Sequence, residues 1–224
     1  MLKEVFKLPE NWLFHDEVES EGLTVWLNDF GDQLIVKYFP IPPDIDAPLH
    51  DLGKLRDRYR QLVTDSGGAL IEADTIYLQD ILTVKIISKS RMQPAGFIYV
   101  GSFTLPFAEC SYVIRIMCSE TGMTGVREAI VTSMLINNSF DEDAGNIKDW
   151  ETDPYDPNIK ADFMSNKADA VEYDVLFPDH PLSRLRNALN EIEKEIVINK
   201  SLYMQDKYIY KIASNKSKWW EFWK

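Results

Sequence analysis

The three histidines of this chain are the first residues to test for chemistry, because histidine is the commonest metal ligand and general base. His15, His50 and His180 are scattered, and none has a second ligand at the short spacing that a metal site needs. His180 stands between Asp179 and Pro181 at a predicted helix start, so we expect it to cap that helix or to lie at the surface. The histidines therefore predict neither a metal site nor a catalytic one.

The two cysteines fall on one face of a single predicted strand. Cys110 and Cys118 would lie roughly 26 Å apart at ~3.3 Å per residue, too far for a disulfide within that strand. The same face is predicted to be buried, and an apolar environment raises the pKa of a thiol and blunts its reactivity. We expect two buried, reduced thiols and no cysteine enzyme.

A turn with two glycines, Gly122-Met-Thr-Gly125, precedes a predicted helix. It lacks the Gly-Lys-Ser/Thr ending of a P-loop and the three-glycine dinucleotide pattern. Amides that open a helix can bind anions weakly, but a tight strand-to-helix turn accounts for the glycines. No cofactor is expected from any motif in the chain.

Residues 141–157 form an acidic segment in which Lys148 is the sole base. We predict an exposed loop that faces solvent or a partner, with adventitious binding of a divalent ion as the alternative. The carboxylate order of an EF-hand is absent. The candidate partner-binding residues here are Asp141, Glu142, Asp143, Asp149, Glu151 and Asp153.

Two further candidates, Arg184 and Arg186, lie in the first turns of a predicted helix, where the helix dipole disfavours cations by a few tenths to ~1 kcal/mol. Neither has an acidic residue three or four positions away to offset this cost. Capture of an anionic partner would explain them. We favour a structural role, in which both arginines dock on the acidic segment 141–157.

The C-terminal segment 214–224 is the last candidate, a polar spacer followed by four aromatic residues flanked by lysines. Burying one large aromatic side chain is worth roughly 1.5–3 kcal/mol. Trp219, Trp220 and Trp223, with Phe222, should therefore cover a groove on their own domain, enter a partner or rest at a lipid interface. We favour the first, because anionic lipids repel an acidic body.

The elements that would position these residues predict an α+β fold. A hairpin is predicted over Gly22–Asn28 and Gln33–Phe39, and four strand-like runs follow helix 48–65. Helices 125–137 and 181–196 come later, and all three helices are expected to pack on a twisted antiparallel sheet of about six strands. The four runs are Ala69–Leu78, Ile81–Lys89, Ala95–Leu105 and Glu109–Ser119. Residues 1–213 are expected to form one domain and 214–224 a tail.

The order of these elements, from Leu8-Pro-Glu-Asn-Trp12 through the four-strand meander to the helix at 125–137, resembles the Mog1/PsbP-like α/β/α sandwich. The resemblance covers roughly residues 5–137. It implies a twisted antiparallel sheet flanked by helices, and binding or accessory roles without catalysis. It assigns no functional residue in this sequence.

The composition excludes some partners. A net charge of −12 and a pI of about 4.7 argue against nucleic acid, which needs clustered Lys and Arg. The N-terminus has no apolar signal region, and no run of about 18 apolar residues occurs. We therefore expect a cytoplasmic protein that meets a membrane only, if at all, through its tail.

These features together predict a non-enzymatic acidic protein that binds another protein with a basic surface. A bacterial immunity protein or a secretion-system adaptor is the sharpest form of this expectation, because electrostatic steering speeds capture of a basic partner. The alternative is a small-ligand binder or a hydrolase. A deep pocket with convergent polar groups would favour the alternative, and a shallow acidic face would favour the protein binder.

Overall fold

A computed structural model describes residues 2–141 and 146–210. The strands are β1 Phe6–Lys7, β2 Leu13–Val18, β3 Leu23–Leu27, β4 Gln33–Phe39, β5 Gly68–Leu78, β6 Ile81–Arg91, β7 Phe97–Pro106, β8 Ser111–Ser119, β9 Phe140–Asp141, β10 Asn146–Ile147 and β11 Val197–Ile198. The α-helices are α1 Leu2–Val5, α2 Leu52–Asp65, α3 Val126–Ser139 and α4 Pro181–Glu195. Short 3₁₀ helices occur at Glu19–Glu21, Lys167–Asp169, Val171–Leu176 and Lys200–Met204. The predicted α+β class is confirmed.

The main sheet has seven antiparallel strands in the order β2-β3-β4-β8-β7-β6-β5. The hairpin β3–β4 and the meander β5–β8 are the runs that alternation in the sequence predicted. About six strands were expected, and the seventh is β2, an edge strand whose sequence Leu-Phe-His-Asp-Glu-Val is mostly exposed. Its side chains do not alternate between apolar and polar because neither face of an edge strand needs to be fully buried.

Helices cover the two faces of the sheet in different places. On one face, α4 packs on β7 and β8 through Leu185, Leu189 and Ile192, within a core that includes Trp26 and Ile116. On the other, α2 packs on β5 and closes a smaller core. That smaller core contains Ile45, Leu55, Tyr59, Val63, Leu70, Val84 and Ile86. Within the described ranges, no helix is long and apolar enough to cross a bilayer.

The expectation that α3 packs its apolar stripe on the sheet is wrong. Val126, Ile130 and Met134 recur at successive turns, yet these side chains are 36%, 44% and 50% exposed. The helix instead turns Arg127 and Val131 inwards, at 1% and 0% exposure, and its main neighbours are the 3₁₀ turn Lys167–Asp169 and the β9–β10 hairpin. The hydrophobic pattern gave the wrong inward face because a buried arginine, Arg127, occupies a position where an apolar residue is expected.

Both edges of the main sheet are blocked. At β5 the Tyr155 hydroxyl accepts from the Ala73 N–H at 2.7 Å and donates to the Ala73 carbonyl at 3.2 Å, as a neighbouring strand would. Asp74 Oδ1 accepts the next N–H, from Thr75, at 2.8 Å. The other edge strand, β2, carries the same device, with Asp16 accepting the N–H of the residue after it. Blocked edges of this kind oppose pairing with other chains.

Candidate functional site

The candidate site is built around residues 166–176, here called the tethered segment, because buried cations fix its backbone to the body. Arg127 Nε donates to the Ala168 carbonyl at 2.6 Å, and its Nη2 donates to the Ala170 carbonyl at 3.0 Å. The same guanidinium meets Asp174 Oδ1 at 2.8 Å and donates to Ser183 on α4 at 2.9 Å. One side chain therefore joins α3, α4 and the tethered segment.

Two more cations hold the same segment. Lys89 on β6 is fully buried and lies 2.6 Å from Asp169 Oδ2. Arg186 on α4 meets Asp174 at 2.9 Å and donates to the Asp169 carbonyl at 2.6 Å. Buried charges are costly unless they are paired and hydrogen-bonded. Here all three cations pair with carboxylates of this one segment. The tethered segment is consequently a rigid part of the surface.

The outer side of this rigid segment is apolar. Val171, Val175 and Leu176, the apolar ridge, are 66%, 80% and 53% exposed. The apolar ridge and the C-terminal part of α3 border a common cavity, which Leu135 of α3 lines together with Val171 and Val175. The exposed apolar stripe of Val126, Ile130 and Met134 lies on the same helix. Exposed apolar side chains that are grouped, and not scattered singly, mark interaction sites.

A cavity of about 920 Å³ lies beside the tethered segment. Its floor and walls come from β5, β6, the end of α3, α4 and the tethered segment. The polar lining includes Glu72, Lys85, Asn166, Lys167, Glu172, Asp174, Arg186, Asn187 and Asn190, and the apolar lining includes Ile71, Leu135 and Val175. This volume falls within the range of about 300–1,000 Å³ found for ligand pockets in proteins, and the cleft is open to solvent on one side.

Two of the cations that line this cavity, Lys85 and Arg186, are paired with carboxylates. Lys85 Nζ lies 2.8 Å from Glu193 and 3.4 Å from Glu72. Burial by itself lowers the pKa of Lys85, but the two carboxylates outweigh it and raise that pKa. Arg186 is occupied by Asp174. A lysine held in its charged form does not act as a base near neutral pH, so these groups suit binding better than proton transfer.

One cluster has the residue types of a metal site. Single ligand atoms of Glu120, Glu128 and His180 lie within 4.8 Å of one another. His180 Nδ1, however, accepts the Leu182 N–H at 3.2 Å, as the N-cap of α4. In a neutral imidazole an accepting Nδ1 leaves the proton on Nε2, and a protonated Nε2 cannot ligate a metal. In this cluster Nε2 of His180 faces carboxylates and lies 3.6 Å from Glu120 Oε1, which is longer than a hydrogen bond.

Glu120 is structural in this cluster. Burial favours its neutral form, but His180 and the N–H groups of Gly125 and Phe97 favour the carboxylate more strongly and lower its pKa. Its oxygens accept the Phe97 N–H at 2.9 Å and the Gly125 N–H at 3.1 Å, which fixes the start of β7 against the turn before α3. The Gly122–Gly125 turn is thus occupied by this chain's own carboxylate.

Within residues 146–157, the described part of the acidic segment is anchored to the body at Asp153. Asp153 is buried and accepts from Arg60 on α2 at 2.6 and 2.9 Å. This pair tethers Tyr155 over the β5 edge, where the Arg56 guanidinium lies 4.0 Å from the ring centroid. Asp149 and Glu151 are exposed, and Asp141 is in β9. Glu142 and Asp143 lie outside the described residues.

The two arginines predicted to dock on 141–157 pair with other carboxylates of the chain. Arg184 meets Asp32, in the β3–β4 turn, at 2.7 and 3.0 Å. Arg186 meets Asp174, as above. Each arginine and its carboxylate lie further apart in the sequence than the three or four residues that separate neighbours on a helix. Inspection of the sequence alone therefore assigned the wrong partners. Trp219, Trp220 and Trp223 lie outside the described residues.

The expectations of two buried, reduced thiols and of a capping role for His180 are confirmed. Cys110 and Cys118 are free and buried, and burial raises the pKa of both thiols. Pro181 occupies the first turn of α4 and His180 caps it. The functional residues that sequence reasoning missed are Arg127 and Lys89, because nothing in a single sequence distinguishes a buried cation from a solvated one.

Comparison with known proteins assigns no function. No family model matches the chain, and no curated protein matches it either. One solved structure that it resembles is the solution structure of cyanobacterial PsbP (CyanoP) from Synechocystis sp. PCC 6803, at 16% identity and a TM-score of 0.34. The likeness covers 59% of this chain and 82% of that one. It is a resemblance in overall architecture, as the order of elements indicated.

Proposed function

We propose that this protein is a non-enzymatic binder of another protein, and that it binds through the apolar stripe of α3 and the neighbouring apolar ridge. The stripe carries the proposal. Three apolar side chains at one-turn spacing normally face a core, and here they face outwards. The ridge supports it, because the buried cations hold it rigid before any partner arrives and so reduce the ordering cost of binding.

The partner's chemistry follows from charge. The chain has a net charge of −12, so a second copy would be repelled, whereas a basic protein would be attracted and its capture accelerated. The partner should combine an apolar patch with a basic rim. A bacterial, cytoplasmic toxin-neutralising immunity protein or a secretion-system adaptor would have such a partner.

The experiment compares proteins captured by the wild-type chain and by the double variant Ile130→Asp/Met134→Asp. Both positions are exposed, so the variant should fold normally, which far-UV circular dichroism and thermal melting check. Ile209→Asp, at a 71% exposed site elsewhere, is the matched control. We expect the wild type and the control to retain one protein that the double variant loses. Salt should weaken the capture of that protein. Equal capture by all three proteins would disprove this site.

A second candidate function, binding of a small polar ligand, is supported by the 920 Å³ cavity. Asn187 and Asn190 are exposed one turn apart on α4 and offer both donors and acceptors to such a ligand. A ligand that binds only the folded state raises the melting temperature with its concentration. A thermal-shift screen of neutral polar metabolites would identify it. A compound that raises the melting temperature of the variant Asn187→Ala/Asn190→Ala as much as that of the wild type would bind outside this cavity.

A further inference from the structure

The α2 side of the main sheet is unevenly covered. Directly paired residues on neighbouring strands share a face, so Ile86, Ser102, Arg115, Ile35 and Val25 form one row across β6, β7, β8, β4 and β3. At the β6 end Ile86 is fully buried under the α2 core. At the other end, the side chains of Ile35 and Val25 are only half-buried.

The half-buried region extends along three strands. It includes Leu23, Val25 and Leu27 on β3, Ile35 on β4 and Met117 on β8. We call this surface the β3–β4–β8 face. Gln33, Lys37 and Arg115 lie on the same side of the sheet and border these apolar side chains. Apolar area left in water forfeits about 25 cal/mol per Å² that burial would return.

The described chain ends on the same side of the sheet as this face. Lys207 bridges to Phe107 at the β7–β8 turn, and the Ala108 N–H donates to the Asp206 carbonyl at 2.9 Å. Tyr208 then packs against the α2-side core. The chain therefore reaches Tyr210 on the α2 side of the sheet, at the end where β4 and β8 pair through Phe39 and Ser111.

The sequence beyond Tyr210 suits this face in length and chemistry. Trp219 is nine residues further on, about 30 Å of extended chain at ~3.3 Å per residue, whereas β4 spans about 23 Å on the same scale. Residues 211–224 contain Lys211, Lys216, Lys218 and Lys224 against the single acid Glu221. This segment is basic, and the rest of the chain is more acidic than the whole, so the two attract.

We propose that the aromatic segment Trp219–Trp223 docks on the β3–β4–β8 face of its own chain. The half-buried apolar side chains of the face are then covered by the aromatic side chains of Trp219, Trp220, Phe222 and Trp223. The lysines of the segment remain at the rim of the contact. A second copy would bring two acidic bodies together, and an anionic membrane would repel the body to which the segment is attached.

The test is a double-mutant cycle on the full chain, read as urea unfolding midpoints. Deleting residues 217–224 is expected to lower the midpoint. Val25→Ser should lower it in the full chain, but by clearly less in the truncated chain, because the contact that it weakens is already gone. Val171→Ser, a matched change at a 66% exposed site, should add independently to the truncation.

Three results would overturn the proposal. The first is an unchanged midpoint after truncation, or full additivity of truncation and Val25→Ser. The second is a dimer in light scattering that the truncation abolishes, which would assign the face to a second copy. The third is co-sedimentation of the full chain, but not of the truncated one, with vesicles of phosphatidylcholine and phosphatidylserine, which would assign the segment to lipid.

Discussion

At the residue scale, Arg127 is the side chain that contributes most to holding the site together. Its guanidinium is 1% exposed and serves two carbonyls, a serine and a carboxylate. Arg127→Met leaves the Ala168 and Ala170 carbonyls without this donor. We expect a loss of about 3–5 kcal/mol in the free energy of unfolding, the usual cost of breaking a buried charge network. Chemical denaturation measures it.

A matched control separates burial from charge. Lys160 is exposed, and Lys160→Met removes the same charge by the same kind of substitution. Its effect should stay within about 0.5 kcal/mol. Equal effects of Arg127→Met and Lys160→Met would mean that net charge, and not the tethering contacts, governs stability.

Asp153 gives a pH-dependent prediction at the same scale. Burial favours its neutral form, but Arg60 and the Tyr155 and Asp156 N–H groups outweigh burial and lower its pKa from the usual 3.8. A carboxyl whose pKa is lower in the folded state stabilises fully above its unfolded pKa and loses that contribution as pH falls through the folded value. Asp153→Asn should therefore be less stable than wild type at neutral pH, and the difference should shrink below about pH 4.

Urea unfolding at a series of pH values measures that difference. Asp162→Asn, at an exposed site, is the control and should show little difference at any pH. A gap between wild type and Asp153→Asn that stays constant down to pH 2 would contradict the role of the ionised carboxylate.

At the element scale, Tyr155 protects the β5 edge. Tyr155→Phe removes the hydroxyl that pairs with Ala73, while the ring can still stack on Arg56. We expect a loss of about 1–2 kcal/mol in unfolding free energy, the cost of one unmade hydrogen bond, and faster association of the folded protein through the freed edge. Tyr77→Phe on the same strand, 71% exposed, should change neither property. Denaturation and light scattering would show this.

The elements also show what a single sequence can predict. Strict alternation in β8 and helical spacing in α4 gave both elements and their buried faces, because each is apolar where it meets the core. The predicted buried face of α3 was wrong because the inward residue is Arg127. Its acceptors, the Ala168 and Ala170 carbonyls, lie more than 40 positions away in the sequence. The contact between Lys89 and Asp169 was likewise not predicted, since these residues meet only in the folded chain. Pairings at such separation leave no local pattern.

At the scale of the whole molecule, the excess of acid should make stability depend on ionic strength. A net charge of −12 repels itself in the compact state. Salt screens exposed charges beyond a Debye length of about 10 Å at 0.1 M, but screens buried pairs such as Lys89 with Asp169 much less. Salt should therefore weaken repulsion more than it weakens the contacts that hold the site.

We expect the urea unfolding midpoint at neutral pH to rise when NaCl is increased from about 0.05 to about 0.5 M. Near the pI of about 4.7 the net charge approaches zero, so the same increase in salt should have little effect there. Asp153 stays ionised near that pH because its pKa is lowered from the usual 3.8, so its contact with Arg60 persists while the repulsion is relieved. A midpoint that falls with NaCl at neutral pH would mean that exposed ion pairs outweigh the repulsion of the acidic surface.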